Sequence, residues 1–192
     1  MRKDFNDCLE LIESQKIRAF TKTALELAPS QFWTAPSSSS GKYHPPEDQV
    51  EGGIIVHSRK AVRVALDLFR FFNIINQLAK DKVISACILH DIQKNGTPWG
   101  ENTNYEHGPI AAKYLTKIAK DNTKNNFLDE NLLDIIMLVK NHMGLWNKPY
   151  ATSALKTGSE LSQKAILYLI VQMADYWASR KWCPFVADEF EK

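Results

Sequence analysis

The chain is short of the features that would narrow it quickly. Its 192 residues hold three cysteines, Cys8, Cys87 and Cys183, an odd number far apart with no CxxC spacing. That argues against a disulfide framework and fits reduced thiols in a cytosolic protein. No apolar run is long enough to span a membrane. The longest, near 165–178, is interrupted by Gln172 and Asp175. The N-terminal stretch MRKDFNDCLELIES lacks the apolar centre of a signal peptide. Neither charge sign dominates: 24 Lys and Arg stand against 22 Asp and Glu, for a net charge of +2. Such a balance does not by itself point to nucleic acid, although it leaves room for a local basic patch. Alternating strand patterns longer than a few residues are missing, and so are internal repeats. Strands are therefore not expected.

What is present is helical periodicity over an ordinary globular composition, 44% hydrophobic and 24% charged. The length suggests a single domain over 1–192. In 4–28, Phe5, Leu9, Ile12, Ile17, Phe20, Ala24 and Leu27 recur every three to four residues, predicting one amphipathic helix that ends at Pro29. Residues 29–53 are rich in Ser, Pro and Gly and read as a long loop, with four serines as a spacer. Helices are expected from about 54 to 75, opened by Gly52-Gly53, and from 78 to 89 or 91. Further helices are expected near 107–120, 129–141 and 160–180, with loops at 92–106 and 143–158. The fold class is all-α.

Against this background certain polar residues stand out. His90-Asp91 sits in VISACILHDI and Asp175 in AILYLIVQMADYWA, both strongly apolar. An ionised Asp is almost never buried without a partner, so each must be paired, protonated or metal-bound. His57 follows the glycine pair, while His107 and His142 fall at a helix start and a helix end. Neutral imidazoles and carboxylates are ligands for divalent metals. Three or four of these six groups are enough for one metal and all six for two, with Asp91 able to bridge. Taken singly, His107 or His142 is equally a structural residue or a phosphate contact. Lys94 is a loop lysine, and His44 reads as a surface residue of the serine loop, with reach into the site as its alternative. Arg180 either caps the last helix or contacts a substrate phosphate. Trp99 and Trp146 flank candidate ligands, as packing or base-stacking residues. No chemistry is assigned to Ser58 or Arg59. Phe185 and Phe190 are expected to pack on the domain or on a second subunit.

These motifs together resemble the HD-domain metal-dependent phosphohydrolases, whose signature is the order His, His-Asp, Asp. GGIIVHS resembles the family's glycine–apolar–EHS segment, ILHDIQK its LLHDIGK, YEHGPIAA its histidine helix start, and MADYWASR its ADxxxSR ending. Gln93 replaces the usual Gly of HDIGK, which is expected to alter the turn after Asp91, and Val56 stands where many members carry Glu. The upstream FWTAPSSSSGKYH resembles a segment of the branch of 3′→5′ exoribonuclease-like members. The resemblance implies a single helical bundle with an HD core over 54–180, a tail from 181 to 192, and a metal site at its centre. It implies metal ligation by His57, His90, Asp91 and Asp175. His107 and His142 match the further ligands of dinuclear members, and Lys94 matches a lysine near the phosphate. Expected catalytic residues are Asp91 and Lys94. Lys94, His107, His142 and Arg180 are the expected substrate-binding residues.

The function implied is hydrolysis of a phosphomono- or phosphodiester of a nucleotide, cyclic nucleotide or oligonucleotide by a metal-activated hydroxide. Two divalent ions are expected, with Mn, Fe, Ni, Co, Zn and Mg not distinguished by the ligands. The expected location is cytoplasmic. One alternative is a mixed-valent di-iron oxygenase on the same six ligands. The other is a non-catalytic nucleotide-binding helical module that keeps a metal for stability.

Overall fold

The computed structural model describes residues 4–122, 127–144 and 163–182. Eight α-helices make up the regular structure of these residues: α1 Asn6–Glu10, α2 Gln15–Glu26, α3 Ser30–Thr34, α4 Gly53–Phe71, α5 Gln77–Leu89, α6 His107–Asp121, α7 Glu130–Asn141 and α8 Gln163–Ala178. Among the described residues there are no strands, so the all-α class is as expected.

α4 is the central helix. It packs against α5 and α8, while α7 packs against both α5 and α6. Residues on every face of α4 are buried, including Ile54, Ile55, Ala61, Val62, Val64 and Ala65. A helix enclosed this way cannot leave cations unpaired. Arg59, fully buried, donates to both carboxylate oxygens of Asp7, each at 2.7 Å, and to the Asp4 carbonyl. The residue to which no chemistry was assigned thus ties α1 to the centre of the fold. Lys60 reaches Glu47 at 2.7 Å and Asp48 at 3.0 Å in the segment before α4.

The single N-terminal helix expected over 4–28 is two helices. Between α1 and α2 the backbone N–H groups of Glu13 and Ser14 donate to the carboxylate of Asp81, at 3.1 and 2.7 Å. Ser14 then caps α2 by accepting from the Ile17 N–H. The helix expected to reach 75 stops at Phe71, with Asn73 in the left-handed region at φ 51°. The expected loop 29–53 contains α3 and a 3₁₀ turn, Pro46–Asp48.

That loop is pressed against the start of α4. A Cβ on Gly53 would meet the Asp48 carbonyl oxygen at 1.9 Å and the Ser37 nitrogen at 2.8 Å, so only glycine permits the approach. The serine tract is accordingly no spacer: Ser37 is fully buried and Ser38–Ser40 line a cleft. Trp99 packs against the core. Cys8 and Cys87 are buried free thiols, and burial pushes both up out of the reactive range. Cys183, Trp146, Phe185, Phe190 and most of the expected loop 143–158 lie outside the described residues. No helix of the described residues is long and apolar enough to cross a membrane.

Candidate metal centre

His57, one turn into α4, Asp175 on α8 and His90-Asp91 at the end of α5 meet in the middle of the bundle. His57 Nε2 lies 3.0 Å from Asp175 Oδ1, 3.2 Å from His90 Nε2 and 3.8 Å from Asp91 Oδ2. His90 Nε2 lies 3.4 Å from Asp91 Oδ2 and 3.6 Å from Asp175 Oδ1. Asp91 turns its other oxygen towards a second group. Its Oδ1 is 3.2 Å from His107 Nε2 and 3.9 Å from His142 Nε2, and those two nitrogens are 2.9 Å apart. All six residues expected to converge do so, and five of them are buried.

α6 must come very close to α7 for the second group to form. Gly108 lets it: a Cβ there would meet the Lys140 carbonyl oxygen at 2.7 Å. This brings His107, first residue of α6, against His142, which follows α7.

Hydrogen bonding fixes the rings. His90 Nδ1 donates to the Cys87 carbonyl at 2.8 Å, His107 Nδ1 to Asn104 at 2.6 Å and His142 Nδ1 to Val139 at 2.7 Å. With Nδ1–H committed, each neutral ring points the lone pair of Nε2 into the centre. Asp91 Oδ1 is buried and has no hydrogen-bond donor. With both rings neutral, the second group would therefore set three lone-pair atoms against one another, within 3.9 Å. Such an arrangement is repulsive unless a cation sits among the atoms. Ligands at about 2.0–2.2 Å from one metal lie roughly 3.0–3.5 Å apart, close to the 2.9–3.9 Å found in the second group. The residues fit divalent metal. His57 differs from the other three in that its Nδ1 is buried without a partner.

The charges are strongly coupled. Burial opposes ionisation of Asp91, but Lys94, His90 and His107 outweigh it and hold the carboxyl well below its usual range. Asp175 is likewise held down, against burial, by His57 and His90. Burial alone would lower His90; the two carboxylates overcome it and push the ring up to about 10. His142, buried with His107 and His90 beside it, is lowered to about 3. Burial also lowers His57, against the pull of Asp175.

The centre opens on a cleft of about 840 Å³, lined by Asp91, His107, His142 and Asp175 on its floor. Lys94 lines it too, its ammonium paired with Asp91 Oδ2. Matches to known proteins bear on this arrangement. The HD-domain family matches residues 54–179, well over half of the chain. The chain belongs to the HD-domain family. No curated protein and no solved structure matches it.

HD domains are in general metal-dependent phosphohydrolases, and this one carries His and Asp groups that could hold a metal. The family match begins after the FWTAPSSSSGKYH segment, so it does not bear on the exoribonuclease-like branch. Gln93, the departure from the motif, is buried, and its amide oxygen accepts from Thr97 Oγ1 at 2.7 Å. The turn after Asp91 is thereby pinned by a side chain that glycine lacks. Arg180 takes the helix-end setting and also lines the cleft. Its Nε donates to the Tyr176 carbonyl at the end of α8, and its guanidinium lines the cleft between the rings of Tyr43 and Tyr176, at 4.8 and 4.1 Å.

One residue was undervalued in the sequence. His44 is not a free surface residue: it lines the cleft, its ring centre 5.0 Å from that of His57. No signal in the serine-rich tract marks it, because the partners that seat it are brought to it only by the fold.

Proposed function

We propose that this HD domain hydrolyses a phosphomono- or phosphodiester of a nucleotide, cyclic nucleotide or oligonucleotide, with two divalent cations. His57, His90, Asp175 and one oxygen of Asp91 would hold the first; His107, His142 and the other oxygen of Asp91 would hold the second. The observation that carries this reading is the convergence of His107 Nε2, His142 Nε2 and the buried Asp91 Oδ1 within 3.9 Å of one another. When bound, such cations lower the pKa of water towards neutral and offset the charge on a phosphate.

The chain's own groups supply the rest. Asp91, between the two clusters, orients the attacking water. Lys94 now satisfies Asp91 Oδ2. Cations on that carboxylate would weaken its hold on the ammonium and leave Lys94 for a phosphate oxygen. Arg180 is held out over the cleft by two tyrosine rings and offers planar, paired donors to the same kind of oxygen. A mixed-valent di-iron oxygenase would use the same ligands, but two cationic side chains in one cleft favour an anionic substrate.

The test is hydrolysis of bis(p-nitrophenyl) phosphate by protein loaded with manganese, cobalt, nickel or magnesium. Activity is expected to need the metal and to vanish with chelator. Lys94→Ala and Arg180→Ala should each lower kcat/KM about tenfold or more with metal content unchanged. Metal-loaded protein that cleaves no phosphate ester and instead consumes oxygen would overturn the proposal in favour of the oxygenase.

A further inference from the structure

His44 is held by a network that the metal centre does not need. Its Nδ1 lies 2.8 Å from Ser37 Oγ and 3.4 Å from Asp48 Oδ2. Ser37 Oγ donates its own hydrogen to the Asp48 carbonyl at 2.8 Å, so towards His44 it can only accept. The carboxylate of Asp48 can also only accept. Both neighbours therefore require a proton on Nδ1, and the neutral ring carries a bare lone pair on Nε2. Asp48 is fully buried and paired with Lys60 at 3.0 Å, itself shared with Glu47 at 2.7 Å.

His44, Asp48 and His57 each offer a ligand atom within 4.8 Å of the others, a spacing that would suit a metal. The Lys60 ammonium already supplies the cation on Asp48, so a third metal there would be redundant. The network instead does for His44 what a carboxylate does for a catalytic imidazole: it fixes the tautomer and the ring plane. Among the described residues Nε2 has no hydrogen-bond partner, and His44 lines the cleft beside His57.

Resting on the phosphohydrolase reading, we infer that His44 Nε2 is a hydrogen-bond acceptor for the water that attacks the phosphate. Ionised phosphate carries no donor, and the other polar groups that close on it, Lys94 and Arg180, are donors. An acceptor in the same cleft, one ring away from a candidate ligand, suits the nucleophile. The chain Glu47, Lys60, Asp48, Ser37 and His44 then links the loop before α4 to the reaction. Misplacement of a positioned group by about an ångström can cost about 100-fold in rate.

The experiment compares wild type, His44→Ala, His44→Gln and His44→Asn, all metal-loaded, at about pH 8, above the ordinary imidazole range. The probe is bis(p-nitrophenyl) phosphate, which has no hydroxyl of its own. The expected result is a fall in kcat of about 100-fold for His44→Ala, with KM and metal content unchanged. Gln, whose amide oxygen reaches the position of Nε2, should recover part of the rate, and the shorter Asn should not. Loss of metal in His44→Ala would make His44 a ligand and overturn the inference, as would an unchanged kcat. Imidazole nitrogen NMR of the metal-loaded wild type gives a readout that needs no activity: a bare Nε2 is expected, and a protonated Nε2 on the neutral ring would refute the fixed tautomer. Wild type that holds metal and shows the bare Nε2 but cleaves no phosphate ester would sink the phosphohydrolase reading, and the water role with it, while leaving the tautomer in place.

Discussion

Asp91 is the side chain on which both halves of the centre depend. One oxygen meets His57 and His90 and the other meets His107 and His142. In the metal-free protein this crowding makes stability depend on pH in both directions. His142 is lowered to about 3 and His57 lies below its ordinary value, whereas unfolded imidazoles titrate near about 6.5. Below that pH the unfolded chain takes up protons that the folded chain refuses, so stability falls. Asp91 and Asp175, held below the usual carboxylate range, lose their contribution in the same direction at lower pH. His90 has the opposite sign. Raised to about 10, its contribution is full below the unfolded value and is lost as pH climbs towards 10. Denaturant unfolding of chelator-treated protein should therefore show a stability maximum near neutrality, with a decline on either side. A flat profile would contradict the coupled charges described here. At this scale His90, Asp91 and Asp175 were readable as candidate ligands from their apolar surroundings, and His57, His107 and His142 from their places along the chain and the family resemblance. His44 was not, since Asp48, Lys60 and Ser37 reach it only through the folded loop.

Between elements, the tightest constraint is the approach of α6 to α7. Gly108 faces the Lys140 carbonyl at a distance that excludes a methyl group. Gly108→Ala should push the two helices apart and spread His107 from His142. The expected outcome is loss of one metal equivalent with the other retained, and a helical circular dichroism spectrum little changed. Retention of both would mean that the His107–His142 contact is not what holds the second ion. Most helices were legible from their three-to-four-residue period. The break between α1 and α2 was not, because the carboxylate that satisfies Glu13 and Ser14 comes from Asp81, 67 residues beyond Ser14. Periodicity reports which face is buried, and it runs on through a short break that a distant side chain has stabilised. The structure inside the expected loop 29–53 was hidden for a similar reason: it is organised by Gly53 pressing on Asp48 and Ser37, a contact without a periodic signature.

Over the whole molecule, a central helix with buried residues on every face carries His57, and α5, α6, α7 and α8 bring the remaining candidate ligands to it. The order of motifs along the chain was enough to anticipate this, and the family match over 54–179 agrees with it. The choice of substrate was less legible, because it rests with cleft walls built from Ser37–Ser40, Tyr43, Tyr176 and Arg180, whose convergence no spacing rule encodes. We propose that six side chains form two cation sites sharing Asp91. Elemental analysis of wild type, His142→Ala and Asp91→Ala, purified without chelator and checked for helical content, tests it most directly. About two metals per chain, about one, and essentially none are expected in turn, with the fold retained in each. Wild type without metal under any loading condition, or Asp91→Ala that keeps both ions, would contradict it.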